Sequence, residues 1–254
     1  MSVPAAADLA AAGLVLTIDG PRVTIAVDRQ DRVIAGVTAG ASVLSAAFAD
    51  IGRSLPGNVR LVVLRVVGGP PPSGHPRVDP GVHDGLDGAD EDLLTEWQAA
   101  FGWLSRPDLF SIAVVSGYAV DGLHLALACD LRVLCDDAYL TLTGIHRGRI
   151  PAFGVSHALV DLVGYGRALD LCVTGRGVRA PEAVAFGLAD RVAAPADLGR
   201  AVEDLAAALL AAPREPAIEV KALLLRSRER SRPDQQRAER DAQLRCSWET
   251  EPPA

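Results

Sequence analysis

The stretch SIAVVSGYAVDGLHLALACD, residues 111–130, constrains the fold of this chain more than any other. Residues 112–115 form a short apolar run rich in β-branched side chains, the pattern of a strand buried on both faces. Gly117 comes next, and Gly122 stands just ahead of residues 123–128, a short apolar helical segment. The run closes on Cys129-Asp130. A buried strand, a tight glycine turn and a helix in this order aim backbone N–H groups at whatever lies above the turn. The first N–H groups of a helix have no partner inside it, so they suit a developing oxyanion.

The rest of the chain supplies a frame for that unit. Residues 14–28 alternate β-branched positions around Asp19-Gly20-Pro21, a hairpin signal. Residues 38–51 are Ala-rich with helical spacing. Residues 60–67, RLVVLRVV, read as a strand covered on both faces. Gly, Pro and Asp crowd residues 68–90, which predicts a long loop. Helical spacing returns over 91–104, and residues 131–134 read as a further strand. Residues 155–163, 167–173, 181–187 and 198–211 read as helices with short breaks. Residues 218–248 continue the helical spacing, with a break expected at Pro233. Strands alternating with helices, then a helical half, predict an α/β core over 1–190 and a helical C-terminal region over 191–254. The N-terminal MSVPAAADLAAAG lacks a basic signal region and is expected to be a frayed lead-in.

Composition removes several function classes. At 254 residues and 49% hydrophobic content the chain can bury a substantial core. A net charge of −7 argues against nucleic acid as a partner. The apolar runs are short and broken by charge or Gly, so no membrane span is expected. Cys129, Cys135, Cys172 and Cys246 form no C-x-x-C pair and sit near no His cluster, which argues against zinc. The first three lie in apolar surroundings and read as small buried hydrophobes, in keeping with a reduced, cytoplasmic protein.

Several blocks, in order, resemble the enoyl-CoA hydratase/isomerase (crotonase) family. Residues 60–67 resemble the strand before that family's first oxyanion loop, and Pro71–Pro76 stand where its F-S-A-G-A-D-like loop falls. Gly117-Tyr118-Ala119 and Leu125 through Asp130 resemble its second block. Gly148, Pro151 and Gly154 match a later G-x-x-P-x-x-G element. Residues 164–168, 171–175 and 180–189 resemble the family's region C-terminal to that element. The resemblance covers residues 14 to 225. It implies a spiral of βαβ units with a helical C-terminal region, assembled as a homotrimer or homohexamer. It also implies an acyl-CoA thioester as ligand, with no cofactor beyond the coenzyme A carried by that ligand. Two backbone N–H groups would hold the thioester oxygen and stabilise the enolate, at about 3–4 kcal/mol each. Carried over by position, the first donor is the N–H of His75 and the second that of Asp121 or Gly122. The turn Val120-Asp121-Gly122 is one residue shorter than the family's small-residue run, and Pro76 replaces a common Asp.

Both family glutamates are missing. His124 stands at the first position and Gly144, after Thr143, at the second; no Glu occurs between Glu96 and Glu182. His124 is the best substitute acid/base: in the first turn of a helix the dipole favours its neutral form, which can accept a proton. The alternative is a His packed on an apolar face. His146, in GIHRGR, reads either as a site residue or as a solvent-facing one. Asp121 reads either as a base or as a helix N-cap. Asp130 matches the family pattern as a structural residue, and His157 is expected to pack or cap within its helix. Residues 221–245 hold eight basic and four acidic side chains, a solvated helix laced with i,i+4 pairs. Lys221 is the positional candidate for a CoA phosphate. Two functions stay open: an enzyme acting through a thioester enolate, as hydratase or isomerase, or a catalytically inactive acyl-CoA-binding protein.

Overall fold

A computed structural model describes residues 4–28, 37–69, 91–118, 122–148, 150–151 and 154–248. Helix α1 (Ala6–Ala11) leads into the hairpin β1 (Leu14–Asp19) and β2 (Arg22–Asp28), turning at Gly20-Pro21 as the sequence predicts. Next are α2 (Val37–Ser54), β3 (Leu61–Val67), α3 (Glu91–Gly102), β4 (Phe110–Ser116), α4 (Gly122–Leu127) and β5 (Leu131–Cys135). Then come β6 (Tyr139–Leu140), α5 (Val155–Val163), α6 (Tyr165–Thr174), β7 (Val178–Arg179), α7 (Ala180–Ala185) and β8 (Arg191–Ala193). The chain closes with α8 (Pro195–Ala211), α9 (Arg214–Leu225) and α10 (Arg232–Trp248).

The main sheet runs β1-β2-β3-β4-β5-β8, and β6 pairs with β7 in a second, small sheet. After the hairpin every pairing in the main sheet is parallel. Each step sets its strand beside the last, so the units advance in one direction and the carboxyl ends of β2, β3, β4, β5 and β8 share one edge. In β3, Leu61, Val62, Val63, Leu64 and Val66 are fully buried. Period-two alternation explains how both faces stay dry. Val62, Leu64 and Val66 join the larger core with α2, α3 and α4, while Leu61 and Val63 meet Leu198, Val202, Leu205 and Ala206 of α8. Each fully buried Leu or Val contributes about 1.5–3 kcal/mol.

From residue 4 on, the N-terminal lead-in is ordered against the core and not frayed. Leu9 and Ala12 are buried, because α1 packs its apolar side into the main core. Strands β6, β7 and β8 escaped the sequence reading, since two or three residues give no periodicity. Strand β8 lies beyond residue 190 yet completes the sheet beside β5, and α8 covers the second face. The expected division at 190/191 therefore cuts through the core. Pro233 sits in the first turn of α10, where its missing N–H costs no helical bond; the break lies in the turn before it. Pairs in the C-terminal region run at i,i+3 (Asp234–Arg237) or between elements, as in Glu219–Arg245 and Asp161–Arg228. His157 is an exposed residue 3.4 Å from Asp161, not a packed one. Among the described residues, no helix is long and apolar enough to cross a membrane.

One buried polar network ties α9 to the sheet. The Lys221 ammonium, on a residue only 6% exposed, donates to Asp130 Oδ2 and to the Leu109 carbonyl, each at 2.6 Å. Asp130 Oδ2 also accepts from the Ser111 N–H at 2.8 Å. The Ser111 hydroxyl donates to the Leu104 carbonyl and accepts from the Asp130 N–H. Arg132 is buried beside it, donating to the carbonyls of Leu188 and Cys129. Cys129 and Cys135 are buried as expected. Burial, then the negative charge of Asp130, pushes the Cys129 thiol up to about 12. Burial and the nearby Asp137 carboxylate raise Cys135 to about 11.

Lys221→Met should destabilise the fold by about 3 kcal/mol, since it leaves Asp130 unpaired while most of that carboxylate is out of water. Urea unfolding measures this, and a loss below about 1 kcal/mol would refute the anchoring role. The thiols generate a second expectation. At pH 8 a thiol raised to about 11 or 12 is thiolate in about one molecule in a thousand or fewer. Iodoacetamide should leave Cys129 and Cys135 unmodified in the native protein and label both in urea; peptide mass spectrometry reads the difference.

Candidate functional site

The site is built where β3 and β4 end. In a parallel sheet ligands gather outside the carboxyl ends of the strands, because the loops there diverge from one rigid edge. Here the two segments after β3 and β4 are drawn together. The Gly68 N–H donates to the Ser116 carbonyl at 2.8 Å, and the Tyr118 N–H to the Gly69 carbonyl at 2.8 Å. Gly117 adopts φ +64°, and a Cβ there would lie 2.7 Å from the carbonyl oxygens of both Gly68 and Gly69. Only glycine allows this backbone contact. The Gly117 N–H is taken by Asp137 Oδ1 at 3.0 Å, and its carbonyl accepts from the Tyr139 N–H at 3.1 Å. The turn above β4 is thus clamped from the β3 side and from the β5–β6 connection.

Helix α4 opens at Gly122, which is buried, and carries His124 in its first turn. His75 and Asp121, expected as oxyanion donor and as donor or base, lie outside the described residues. So does most of the loop expected over 68–90, including Pro71–Pro76. His124 is half-buried and lines a crevice of about 180 Å³ with Trp97, Gln98 and Phe101 of α3. Trp97 and Phe101 pack against each other with tilted rings, centroids 5.2 Å apart, and form its apolar wall. Residues 143–147 make a 3₁₀ turn that holds both the half-buried Gly144 and His146. His146 is exposed, with its ring against Gly175: a Cβ at Gly175 would sit 2.6 Å from His146 Nε2. The two histidines therefore face different neighbours, His124 toward α3 and His146 toward the end of α6.

Lys221 has its ammonium committed inside the subunit to Asp130 and Leu109 O. These surroundings make it an anchor of α9, against the expectation of a phosphate contact. Asp130 is structural, as read from the sequence. Asp137 and Ser111 were missed, although both position the strand–turn–helix unit. Their only sequence signal was a polar residue flanking a buried strand, which is also what a solvated strand end looks like.

Comparisons with known proteins agree with this geometry. The family model described as enoyl-CoA hydratase/isomerase matches residues 84–250. The methylglutaconyl-CoA hydratase 1 of Pyricularia oryzae is 39% identical over 132 residues, covering 50% of this chain and 38% of that protein. The short-chain-enoyl-CoA hydratase of Clostridioides difficile is 39% identical over 95 residues, covering 37% of this chain and 61% of that one. The alignments thus span between about two fifths and three fifths of these curated relatives. Among solved structures, a candidate enoyl-CoA hydratase from Thermobifida fusca YX in complex with acetoacetyl-CoA superposes with a TM-score of 0.83. It is 38% identical, covering 98% of this chain and 100% of that one. The same protein is also seen in complex with CoA. The α/β spiral with its helical C-terminal region, the glycine-built turn above β4 and the matched family model have one reading: the chain belongs to the enoyl-CoA hydratase/isomerase (crotonase) family.

Proposed function

We propose that this protein binds an acyl-CoA thioester and stabilises its enolate with backbone N–H groups from the loops after β3 and β4. The observation that carries this reading is the contact of Gly68 and Gly69 with Gly117 and Tyr118, which brings those two loops together. The acetoacetyl-CoA complex of the Thermobifida fusca relative supports it. In the proposed site the His75 N–H is the first donor, and that of Asp121 or Gly122 the second. Donors fixed by the backbone need no reorganisation as charge develops, so they favour the enolate over the ground-state thioester.

His124 is the proposed acid/base. A hydratase must activate water and also move the α-proton, two tasks usually divided between two carboxylates. Gly144 can do neither, so one imidazole serves best where a single proton is shuttled, as in a double-bond shift. His124 would take the α-proton as the enolate forms and return it at the far carbon. Asp121 acts as the cap of α4 in this scheme, and His146 is a peripheral residue. No cofactor beyond the CoA of the ligand is required. Assembly as a homotrimer or homohexamer is part of the proposal, supported by the exposed apolar row Tyr165, Leu169 and Val173 along α6. A cytoplasmic location is proposed from the reduced cysteines.

A second reading, an acyl-CoA-binding protein without turnover, is favoured by one observation. His124 is half-buried against Trp97 and Phe101, an environment that also suits a packed imidazole. Calorimetric titration with crotonyl-CoA, then assays for hydration and double-bond shift on the same samples, separates the two. In the enzyme reading His124→Ala lowers turnover by about 100-fold or more while affinity stays within a few-fold. Unchanged turnover would remove His124 from the mechanism. Binding with no turnover in the native protein would establish the second reading.

A further inference from the structure

The proposed second donor, Asp121 or Gly122, follows closely on Gly117 in the chain, so whatever fixes Gly117 fixes where that segment starts. Among the described residues, four hydrogen bonds join the turn to its surroundings. Three run from backbone to backbone: the Gly68 N–H to the Ser116 carbonyl, the Tyr118 N–H to the Gly69 carbonyl, and the Tyr139 N–H to the Gly117 carbonyl. The fourth comes from a side chain. Asp137 Oδ1 accepts from the Gly117 N–H at 3.0 Å. An ionised acceptor makes this a charge-assisted bond, stronger than a neutral one.

Asp137 is itself firmly placed. It lies in the turn after β5, which the Ala138 N–H closes on the Cys135 carbonyl at 2.9 Å. On one side of it the Asp136 N–H donates to the Ala193 carbonyl of β8 at 2.9 Å. On the other the Ala138 carbonyl accepts from the Ala180 N–H, at the start of α7, at 3.2 Å. Strand β6 follows at once. There the Tyr139 ring packs on Tyr118, centroids 5.8 Å apart, and lies against Gly177, where a Cβ would overlap it. The Asp137 backbone is thus pinned from β8, α7 and the β6–β7 pair, while the residue is exposed. Its side chain supplies position and adds nothing to the apolar core. We propose that Asp137 is a positioning residue for the oxyanion site: by holding the Gly117 N–H, its carboxylate keeps the turn's donors aimed at the thioester oxygen. Well-aimed donors help the enolate more than the neutral thioester, because only the enolate oxygen carries the charge. Asp137 therefore governs enolate stabilisation and hardly affects ground-state affinity. This inference deepens the acyl-CoA reading above and rests on it.

The test separates those two quantities and needs no turnover. Acetoacetyl-CoA reports the enolate directly, since its enolate absorbs in the near ultraviolet far more strongly than its keto form. Butyryl-CoA, which stays in the keto form, gives ground-state affinity by calorimetry. Both are titrated into the full-length protein and into Asp137→Ala, Asp137→Asn and Asp136→Ala. The native protein should raise the enolate fraction of bound acetoacetyl-CoA above that of the free thioester at the same pH. Asp137→Ala should cut the bound enolate-to-keto ratio by about tenfold or more, the cost of misplaced donors, and leave butyryl-CoA affinity within a few-fold. Asp137→Asn keeps an acceptor oxygen and should recover most of the ratio. Asp136→Ala removes a neighbouring carboxylate that does not bond the turn, and should leave the ratio unchanged. A native ratio in Asp137→Ala overturns the proposal and leaves the acyl-CoA reading intact. An equal loss of butyryl-CoA affinity and enolate ratio overturns it too, as a merely structural hold. So does a loss in Asp137→Asn as large as in Asp137→Ala, or an equal loss in Asp136→Ala, since neither follows from this hydrogen bond. A native protein that binds neither thioester, or binds acetoacetyl-CoA without raising its enolate fraction, refutes the reading above and this inference with it.

Discussion

The ion pair between Lys221 and Asp130 joins parts of the molecule that sequence separates by 91 positions. Asp130 ends the strand–turn–helix unit on which the proposed chemistry depends, and its carboxylate also caps the start of β4 through the Ser111 N–H. Lys221 brings α9 onto that same carboxylate. Two charges withdrawn from water are costly unless every remaining hydrogen-bonding site is used. Here the ammonium has the Leu109 carbonyl and the carboxylate has the Ser111 N–H, which makes the arrangement tolerable and strongly directional. The position of α9 depends on this contact.

At the other end of α4 the constraint is steric. Two parallel strands deliver their loops to the same edge, but the loops meet only because Gly117 lacks a side chain where two carbonyl oxygens press against it. The hydrogen bonds of Tyr118 to Gly69 and of Asp137 to Gly117 then hold the meeting in register. The strand–turn–helix unit is therefore held at two places, by backbone contact just after β4 and by the ion pair just beyond α4. A backbone oxyanion site needs that kind of support, because its donors have no side-chain freedom with which to correct an error in position.

In the proposed mechanism the proton transfer falls on His124. Its surroundings are aromatic on the α3 side, and Gly144 offers no second titrating group. The family fold supports either proton shuttling or simple binding, since enolate stabilisation and thioester recognition both use the same backbone donors. What differs between those outcomes is one imidazole and what it can reach.

Local patterns in the sequence determined much of this protein. The hairpin at Gly20-Pro21, the doubly buried β3, the strand–turn–helix of residues 111–130 and most of the C-terminal helices each carry their signal within a short window of periodicity and turn residues. The ordered motif blocks likewise indicated the family. Tertiary structure alone decided what depends on distant partners. Strand β8 is three residues long and exists because β5 offers an edge. Helix α1 is Ala-rich and looks unanchored until Leu9 finds the core. Lys221, by position a candidate for a CoA phosphate, is a buried anchor because the fold sets a carboxylate 2.6 Å away. Periodicity records how a segment divides its faces between water and protein. It does not record which other segment occupies the buried face, and that choice made Lys221 a structural residue.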